Sequence, residues 1–483
     1  MNIRLIFRYI SNILRLEGIL MLPPLILALA RGEAKAAIGF AATIAAVLAC
    51  SFVTLLFRPK ERTFFAKEGF VTVSLSWIIL SLFGSLPFYL SGEIPRFIDC
   101  VFETVSGFTT TGASILGDVE SMSLSLLYWR SFTHWLGGMG ILVFLMAIVP
   151  LSEDAGSLRV LRAESPGPVF GKFVPKLSYT ARILYAIYIA PTLAEILLLL
   201  AGGMPLFDSI VNAFATAGTG GFAIKNASIG AYGSYYLQGV IAVFMILFGV
   251  NFNIYYFILM RDFKSVLKNE ELRLYFGVIA FSVLTITINV RSLFGSLYEA
   301  FHNSLFQVAS IMTTTGFATA DFDRWPQLSR MILVLLMILG ASAGSTGGGI
   351  KMARVLILFK SLHNSIQKML HSRCIKLVKL DGKTVDHATI REVNVFMSAY
   401  LLFCGLSMLV ISAENFSFDT TVTSVLACIN NIGPGLGTIG PSGNYAAFSD
   451  FSKIVLTLDM LIGRLEIFPM LMLFSPSVWK RGQ

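Results

Sequence analysis

Apolar stretches near 13–30, 36–57, 70–91, 126–149, 183–202, 235–260, 272–290, 329–359, 393–413 and 452–476 approach or exceed the ~20 residues that a bilayer core requires. A soluble core has no use for so many. With 55% hydrophobic residues, 13% charged residues and a mean hydropathy of +0.75, the chain of 483 residues reads as a membrane protein with about ten spans. Its formal charge of +9 does not form one nucleic-acid-binding run. The basic residues fill alternate polar gaps instead: Arg58, Lys60, Arg62 and Lys67; Arg159, Arg162, Lys172, Lys176 and Arg182; Arg261, Lys264, Lys268 and Arg273; and Lys360 through Arg391. These gaps, and with an even number of spans both termini, are expected on the cytoplasmic side. The N-terminal segment with Arg4, Arg8 and Arg15 reads as an uncleaved amphipathic lead-in to the first span, because no small-residue cleavage site follows it. The five cysteines show no CxxC and no regular spacing, so neither a disulfide framework nor a zinc site is indicated.

The other gaps, 92–125, 203–234, 291–328 and 414–451, are long, poor in Lys and Arg, and each holds an apolar segment too short to span. Each opens on an aromatic and an acidic residue: Phe97 and Asp99, Phe207 and Asp208, Tyr298 and Glu299, Phe418 and Asp419. Each closes on small residues and glycine: Thr109-Thr110-Thr111-Gly112-Ala113, Gly218-Thr219-Gly220-Gly221-Phe222, Thr313-Thr314-Thr315-Gly316-Phe317 and Ile432-Gly433-Pro434-Gly435-Leu436. The economical reading is four copies of one helix, re-entrant loop and helix unit.

A cation crossing hydrocarbon must exchange water for protein oxygens, and equivalent loops can supply rings of backbone carbonyls without burying a formal charge. Glycine reaches the conformations such a loop needs, and threonine adds a hydroxyl on a stiff side chain. An acidic residue in the first turn favours the helix N-terminus while the C-terminal dipole end attracts cations.

The stretch 329–359 would extend ~45 Å as one helix, beyond the ~30 Å hydrocarbon core. Its middle, Gly340-Ala341-Ser342-Ala343-Gly344-Ser345-Thr346-Gly347-Gly348-Gly349-Ile350-Lys351, must break the helix, and it has neither the Gly-Lys-Ser/Thr nor the βα unit of a nucleotide loop. An intramembrane loop able to obstruct an ion path fits it. Arg464 stands inside the last span, where a formal charge needs a partner or a cavity, and Glu466 is poorly placed on the same helix to pair with it. Lys351 is a second cation near the break, and His134 is expected near the outer membrane face in a structural role. HExxH, GxSxG with a buried His, and paired intramembrane aspartates are all missing, so an enzyme is not expected.

Taken together, TTTGAS, GTGGFA, TTTGFAT, GSTGGGIK, NNIGPGLG and GRLEIFP resemble the Trk/Ktr/HKT superfamily of cation transporters, and the TrkH branch within it, over essentially the whole chain. The resemblance implies an all-α membrane protein with fourfold pseudo-symmetric helix, pore loop and helix repeats. These divide as 1–68 for two additional helices, then 69–160, 161–268, 269–385 and 386–483. It implies potassium uptake across a bacterial inner membrane through a filter of Thr110, Thr111, Gly112, Thr219, Gly220, Gly221, Thr314, Thr315, Gly316, Ile432, Gly433 and Gly435, with Gly112, Gly221, Gly316 and Gly435 as its four glycines. It also implies an intramembrane gate carrying Gly344, Ser345, Thr346, Gly347, Gly348, Gly349 and Lys351, with Arg464 beside it. The implied assembly is a homodimer in lipid, gated by a cytosolic TrkA-type partner that binds NAD(H) and adenine nucleotides; this chain itself binds no nucleotide. A proton- or sodium-coupled symporter of the same fold is the alternative reading.

Overall fold

The structure, a computed structural model, describes residues 3–55, 66–140, 177–371 and 376–479. The gap residues Arg58, Lys60, Arg62, Arg159, Arg162, Lys172 and Lys176 and the 160/161 boundary lie outside the described residues, as does Cys374. Helix α1 (Ile3–Leu20) continues through Met21 into α2 (Leu22–Arg31), which carries a Pro-Pro pair in its first turn and stops on Gly32 in the left-handed region, and α3 (Ala34–Leu55) returns beside α1.

The remaining chain repeats one plan. The first unit has α4 (Ala66–Gly84) and α5 (Leu86–Ser91), the pore helix α6 (Phe97–Phe108) and the inner helix α7 (Leu124–Met139). The second has α8 (Leu177–Ala201), the pore helix α9 (Leu206–Ala217), and an inner helix in two pieces, α10 (Tyr235–Phe248) and α11 (Phe252–Leu259), followed by the short α12 (Phe263–Lys268). The third has α13 (Glu270–Val290), the pore helix α14 (Leu297–Met312), and α15 (Gln327–Leu339) and α16 (Met352–Leu370) on either side of the glycine-rich segment. A two-residue hairpin, β1 (Lys379–Leu380) with β2 (Lys383–Thr384), is the one sheet among the described residues. The fourth unit has α17 (His387–Ser412), the pore helix α18 (Phe418–Ile429), α19 (Asp450–Arg464) and α20 (Phe468–Phe474).

Length separates two kinds of span. Among the described residues, Ile3–Arg31, Ala34–Phe52, Glu68–Ser91, Ala181–Ala201, Glu270–Leu293 and His387–Ser412 are long and apolar enough to cross a bilayer: the two leading helices and the first helix of each unit. The inner helices do not run straight. Tyr235–Phe248 and Phe252–Leu259 meet at 91°, α15 stops at Gly340 with φ of 65°, and α19 is cut from α20 by Glu466 and Ile467 with φ of 57° and 68°. The first, α7, ends at Gly140 with φ of 80°, where the described residues stop. The pore helices α6, α9 and α18 have 12 residues each, ~18 Å, which reaches only partway into the hydrocarbon. They are re-entrant.

Each inner helix packs on the pore helix of the next unit: α7 on α9, α10 on α14, α15 on α18, and α19 back on α6. Polar clamps mark three of these seams. Lys453 Nζ lies 2.7 Å from Asp99 Oδ1, Arg330 lies 2.7 Å from Asp419, and His302 Nε2 lies 3.0 Å from Gln238 Oε1. The first-turn acids of α6 and α18 thus hold neighbouring units together, in addition to favouring their own helix N-termini. The Lys453 side chain is fully buried and the Asp99 side chain nearly so, so neither charge is well solvated alone.

Candidate functional site

The four pore helices end in one backbone motif. The amide five residues beyond the third-from-last helical residue donates back to that residue's carbonyl in each: Thr111 N to Ser106 O at 2.8 Å, Gly220 N to Ala215 O at 2.9 Å, Thr315 N to Ser310 O at 2.8 Å and Ile432 N to Ala427 O at 2.8 Å. The preceding amide closes the inner bond of a Schellman cap in each case, Thr110 to Gly107, Thr219 to Thr216, Thr314 to Ile311 and Asn431 to Cys428. That cap requires a left-handed residue, and it falls on Thr110, Thr219, Thr314 and Asn431 with φ of 55°, 54°, 59° and 55°. Three of the four are β-branched, so this conformation costs about 1–3 kcal/mol at each and persists because the surroundings over-determine it.

Two residues further on, Gly112, Gly221, Gly316 and Gly433 take φ of 78°, 74°, 87° and 93°. Each is pressed against the next loop. An added Cβ on Gly112 would stand 1.9 Å from the Gly220 carbonyl oxygen, on Gly221 1.9 Å from that of Thr315, on Gly316 2.1 Å from that of Ile432, and on Gly433 2.7 Å from that of Thr111. The loops therefore close a ring in the order 1, 2, 3, 4 and back to 1, seamed by four carbonyls at the same position of the motif. This register corrects the fourth glycine. Gly435 has no positive φ, donates its amide to Ile439 O at 2.7 Å and packs against the Thr423 side chain, so Gly433 is the counterpart of Gly112, Gly221 and Gly316.

Behind the ring the supports differ from loop to loop. Thr109 and Thr111 share a hydroxyl hydrogen bond of 2.8 Å, as do Thr313 and Thr315. Asn431 Nδ2 donates to Thr111 Oγ1 at 2.9 Å across the last seam, and Tyr445 Oη donates to the Gly433 carbonyl at 2.8 Å. A buried pair of Arg130 and Glu103, 2.6 Å apart, clamps the outgoing strands of two loops. Glu103 accepts from the Ser114 hydroxyl and the Ile115 amide, while Arg130 donates to the Ala223 carbonyl and covers the Phe222 ring. The second loop lacks threonine at both supporting positions, where Gly218 and Gly220 stand. His134 fills that space. It is fully buried beside Phe222, where α7 carries it against the second loop.

The 340–351 segment lies directly against the helix-side ends of the third and fourth loops. The Gly348 amide donates to Thr314 Oγ1 at 2.6 Å, and a Cβ on Gly347 or Gly348 would stand 3.0 Å from the Thr313 carbonyl or 2.4 Å from that of Asn430. The segment is tied down on its other sides. Ser342 N donates to Gly249 O at 3.1 Å, Phe252 N to Gly344 O at 3.0 Å, and Thr346 Oγ1 to Phe248 O at 3.2 Å. Ser345 Oγ donates within the segment to Ser342 O, the Lys351 ammonium caps the Gly347 carbonyl, and Gly349 rests on Gly340. Arg464 spans the space between elements, donating to Thr346 O at 2.8 Å and to Gly137 O and Gly138 O at 2.5 and 2.8 Å. Glu466 pairs with Arg354 of α16.

Sequence reading missed Glu271. Its Oε1 accepts from the Ala343 amide at 2.6 Å and the Ala353 amide at 3.1 Å, holding both shoulders of the segment. No local spacing marks it out from the basic residues Lys268 and Arg273 on either side of it. Glu17, Glu195 and Asp459 are further buried acids inside helices α1, α8 and α19; Asp459 accepts from the Ser407 hydroxyl at 2.8 Å.

Re-entrant helices aiming four C-terminal ends at a closed ring of backbone, inside a membrane-spanning bundle, define a cation-transport protein. The family model TrkH, described as cation transport protein, matches residues 37–481, and the chain belongs to that family of transporters, which are not enzymes. It is 35% identical to the Trk system potassium uptake protein TrkH of Salmonella typhimurium, over 99% of this chain and 100% of that one. Identity to the Trk system potassium uptake protein TrkH of Escherichia coli K12 is 34% with the same coverage. The crystal structure of the potassium transporter TrkH from Vibrio parahaemolyticus superposes with a TM-score of 0.87 at 31% identity, covering 99% of this chain and 100% of that one.

Proposed function

We propose that this chain is the ion-conducting subunit of a bacterial potassium uptake system. The carrying observation is the closed ring, in which the carbonyls of Thr111, Gly220, Thr315 and Ile432 lie at the seams next to Gly433, Gly112, Gly221 and Gly316, respectively, of the neighbouring loops. In this reading those carbonyls, with those of Thr110, Thr219, Thr314 and Asn431, replace the hydration shell of K⁺, and the four pore-helix dipoles add negative potential at the axis. The full-length relatives named as potassium uptake proteins support the choice of ion.

The 340–351 segment is the gate, held shut by Thr314, Glu271, Lys351 and Arg464. The chain divides into two leading helices, 1–68, and four units, 69–160, 161–268, 269–385 and 386–483. It sits in the inner membrane with both termini cytoplasmic and acts as a homodimer with a cytosolic nucleotide-binding partner. That partner acts on the cytoplasmic ends of the inner helices, of which α16 leads straight into the gate. Proteoliposomes containing the purified chain test the function by ⁸⁶Rb⁺ uptake against competing K⁺ and Na⁺. K⁺ should compete at far lower concentration than Na⁺; equal competition, or no uptake under any gradient, would refute the reading.

A further inference from the structure

We infer that His134 is the positioning residue for the second loop of the ring and thereby a determinant of ion preference, an inference that rests on the filter reading above. Loops 1 and 3 are braced from behind by their own paired threonine hydroxyls, and loop 4 by Asn431 and Tyr445. Loop 2 has glycine at both supporting positions. Backbone conformation does not demand either glycine: Gly218 has φ of −69°, and Gly220 is outside the positive-φ region. Space demands them. A Cβ on Gly220 would stand 1.6 Å from His134 Nδ1 and 2.2 Å from Cε1, and one on Gly218 would stand 2.3 Å from the His134 carbonyl oxygen.

The imidazole thus occupies the volume that the Thr111 and Thr315 side chains fill behind loops 1 and 3, and the His134 backbone closes the position of Gly218. It is fully buried, neither ring nitrogen has a hydrogen-bond partner among the described residues, and its ring stacks edge-on against Phe222, 4.2 Å between centroids. Shape, rather than hydrogen bonding, is what it supplies. Met337 and Met460 stand three residues before Gly340 and Gly463, as His134 stands three before Gly137, and both are fully buried. His134 thus presents a rigid ring, where those two helices present a flexible methionine, to the loop that has neither a threonine pair nor the Asn431 and Tyr445 supports of loop 4. Gly220 supplies one of the four seam carbonyls, so play in this loop moves an ion-facing oxygen of the proposed filter.

The test is ⁸⁶Rb⁺ uptake by full-length protein in proteoliposomes, with K⁺ and Na⁺ as competitors and the melting temperature of each variant recorded. His134→Ala should lower the K⁺ over Na⁺ preference by about tenfold or more, equivalent to ~1.4 kcal/mol of discrimination, while the protein remains folded. His134→Met gives the same readout with the space refilled by a flexible chain, and serves should the alanine variant not fold. Gly220→Ser should abolish uptake in the native background and regain it in the His134→Ala background, because the clash is with the imidazole. Wild-type preference in both His134 variants, or a Gly220→Ser defect that is the same in both backgrounds, would overturn the inference. Failure of the filter reading is distinct, since it would show as an absence of K⁺ preference in the unmutated protein.

Discussion

The Gly348 amide donates to Thr314 Oγ1 at 2.6 Å, so the segment proposed as gate is hydrogen-bonded to a left-handed residue of the ring it would close. Gate and filter are joined by this bond. Thr314→Val keeps the β-branched shape and removes the acceptor. Loss of one such bond, ~1 kcal/mol, should raise basal ⁸⁶Rb⁺ flux about fivefold without a cytosolic partner while ion preference is kept. Unchanged flux in the folded variant would show that this contact does not hold the segment.

Arg464 reaches three carbonyls on two elements, Thr346 on one side and Gly137 and Gly138 on the other. Such a strap needs the planar fork of a guanidinium. Arg464→Gln should increase basal flux and single-channel conductance, about tenfold in flux if one charge-assisted bond to the gate is the main restraint. Arg464→Lys should not restore the wild-type level. A normal conductance with a large loss of melting temperature would mean that Arg464 serves the fold alone.

The register of the fourth loop separates Gly433 from Gly435. Gly433→Ser places a Cβ at φ of 93° against the Thr111 carbonyl, whereas the contacts of a Cβ on Gly435 are side chains of Ile439 and Thr423 that can shift. Gly433→Ser should therefore abolish K⁺ preference, and Gly435→Ser should chiefly lower the melting temperature. Competition assays on both variants check this, and the reverse ranking would refute the register.

Much of this arrangement is legible in the sequence where residue type and backbone need coincide. TTTG recurs in loops 1 and 3 because a supporting threonine pair and a left-handed glycine are both written there. Loop 4 is ambiguous, since Gly433 and Gly435 both fit a glycine pattern and only the Ile432 to Ala427 bond fixes which one turns. The break at 340–351 shows because the stretch is overlong. The breaks after α10 and α19 do not, because Gly249-Val250-Asn251 carries no glycine run and the positive φ of Glu466 and Ile467 is not written in their residue types. Glu271 was hidden for a related reason, and so was the loop that His134 supports: each residue acts on a segment distant in sequence, through contacts that no local spacing encodes.

Lys453 and Asp99 join the fourth unit to the first through a buried pair. Lys453→Met should strand the carboxylate and destabilise the protein by ~3 kcal/mol, the low end for a broken buried pair because Arg96 also reaches Asp99. Adding Asp99→Asn should recover part of the loss. Thermal unfolding in detergent measures both, and additive losses would show that the two side chains are not coupled.

The central claim is that K⁺ crosses through the four-loop ring, and crystals of the protein soaked in Rb⁺ test it most directly. Anomalous density on the axis, enclosed by the carbonyls of Thr111, Gly220, Thr315 and Ile432, is the expected result, with the peak displaced by excess K⁺ and not by Na⁺. Rb⁺ bound elsewhere in the bundle, with the ring empty in a protein that still takes up ⁸⁶Rb⁺, would contradict it.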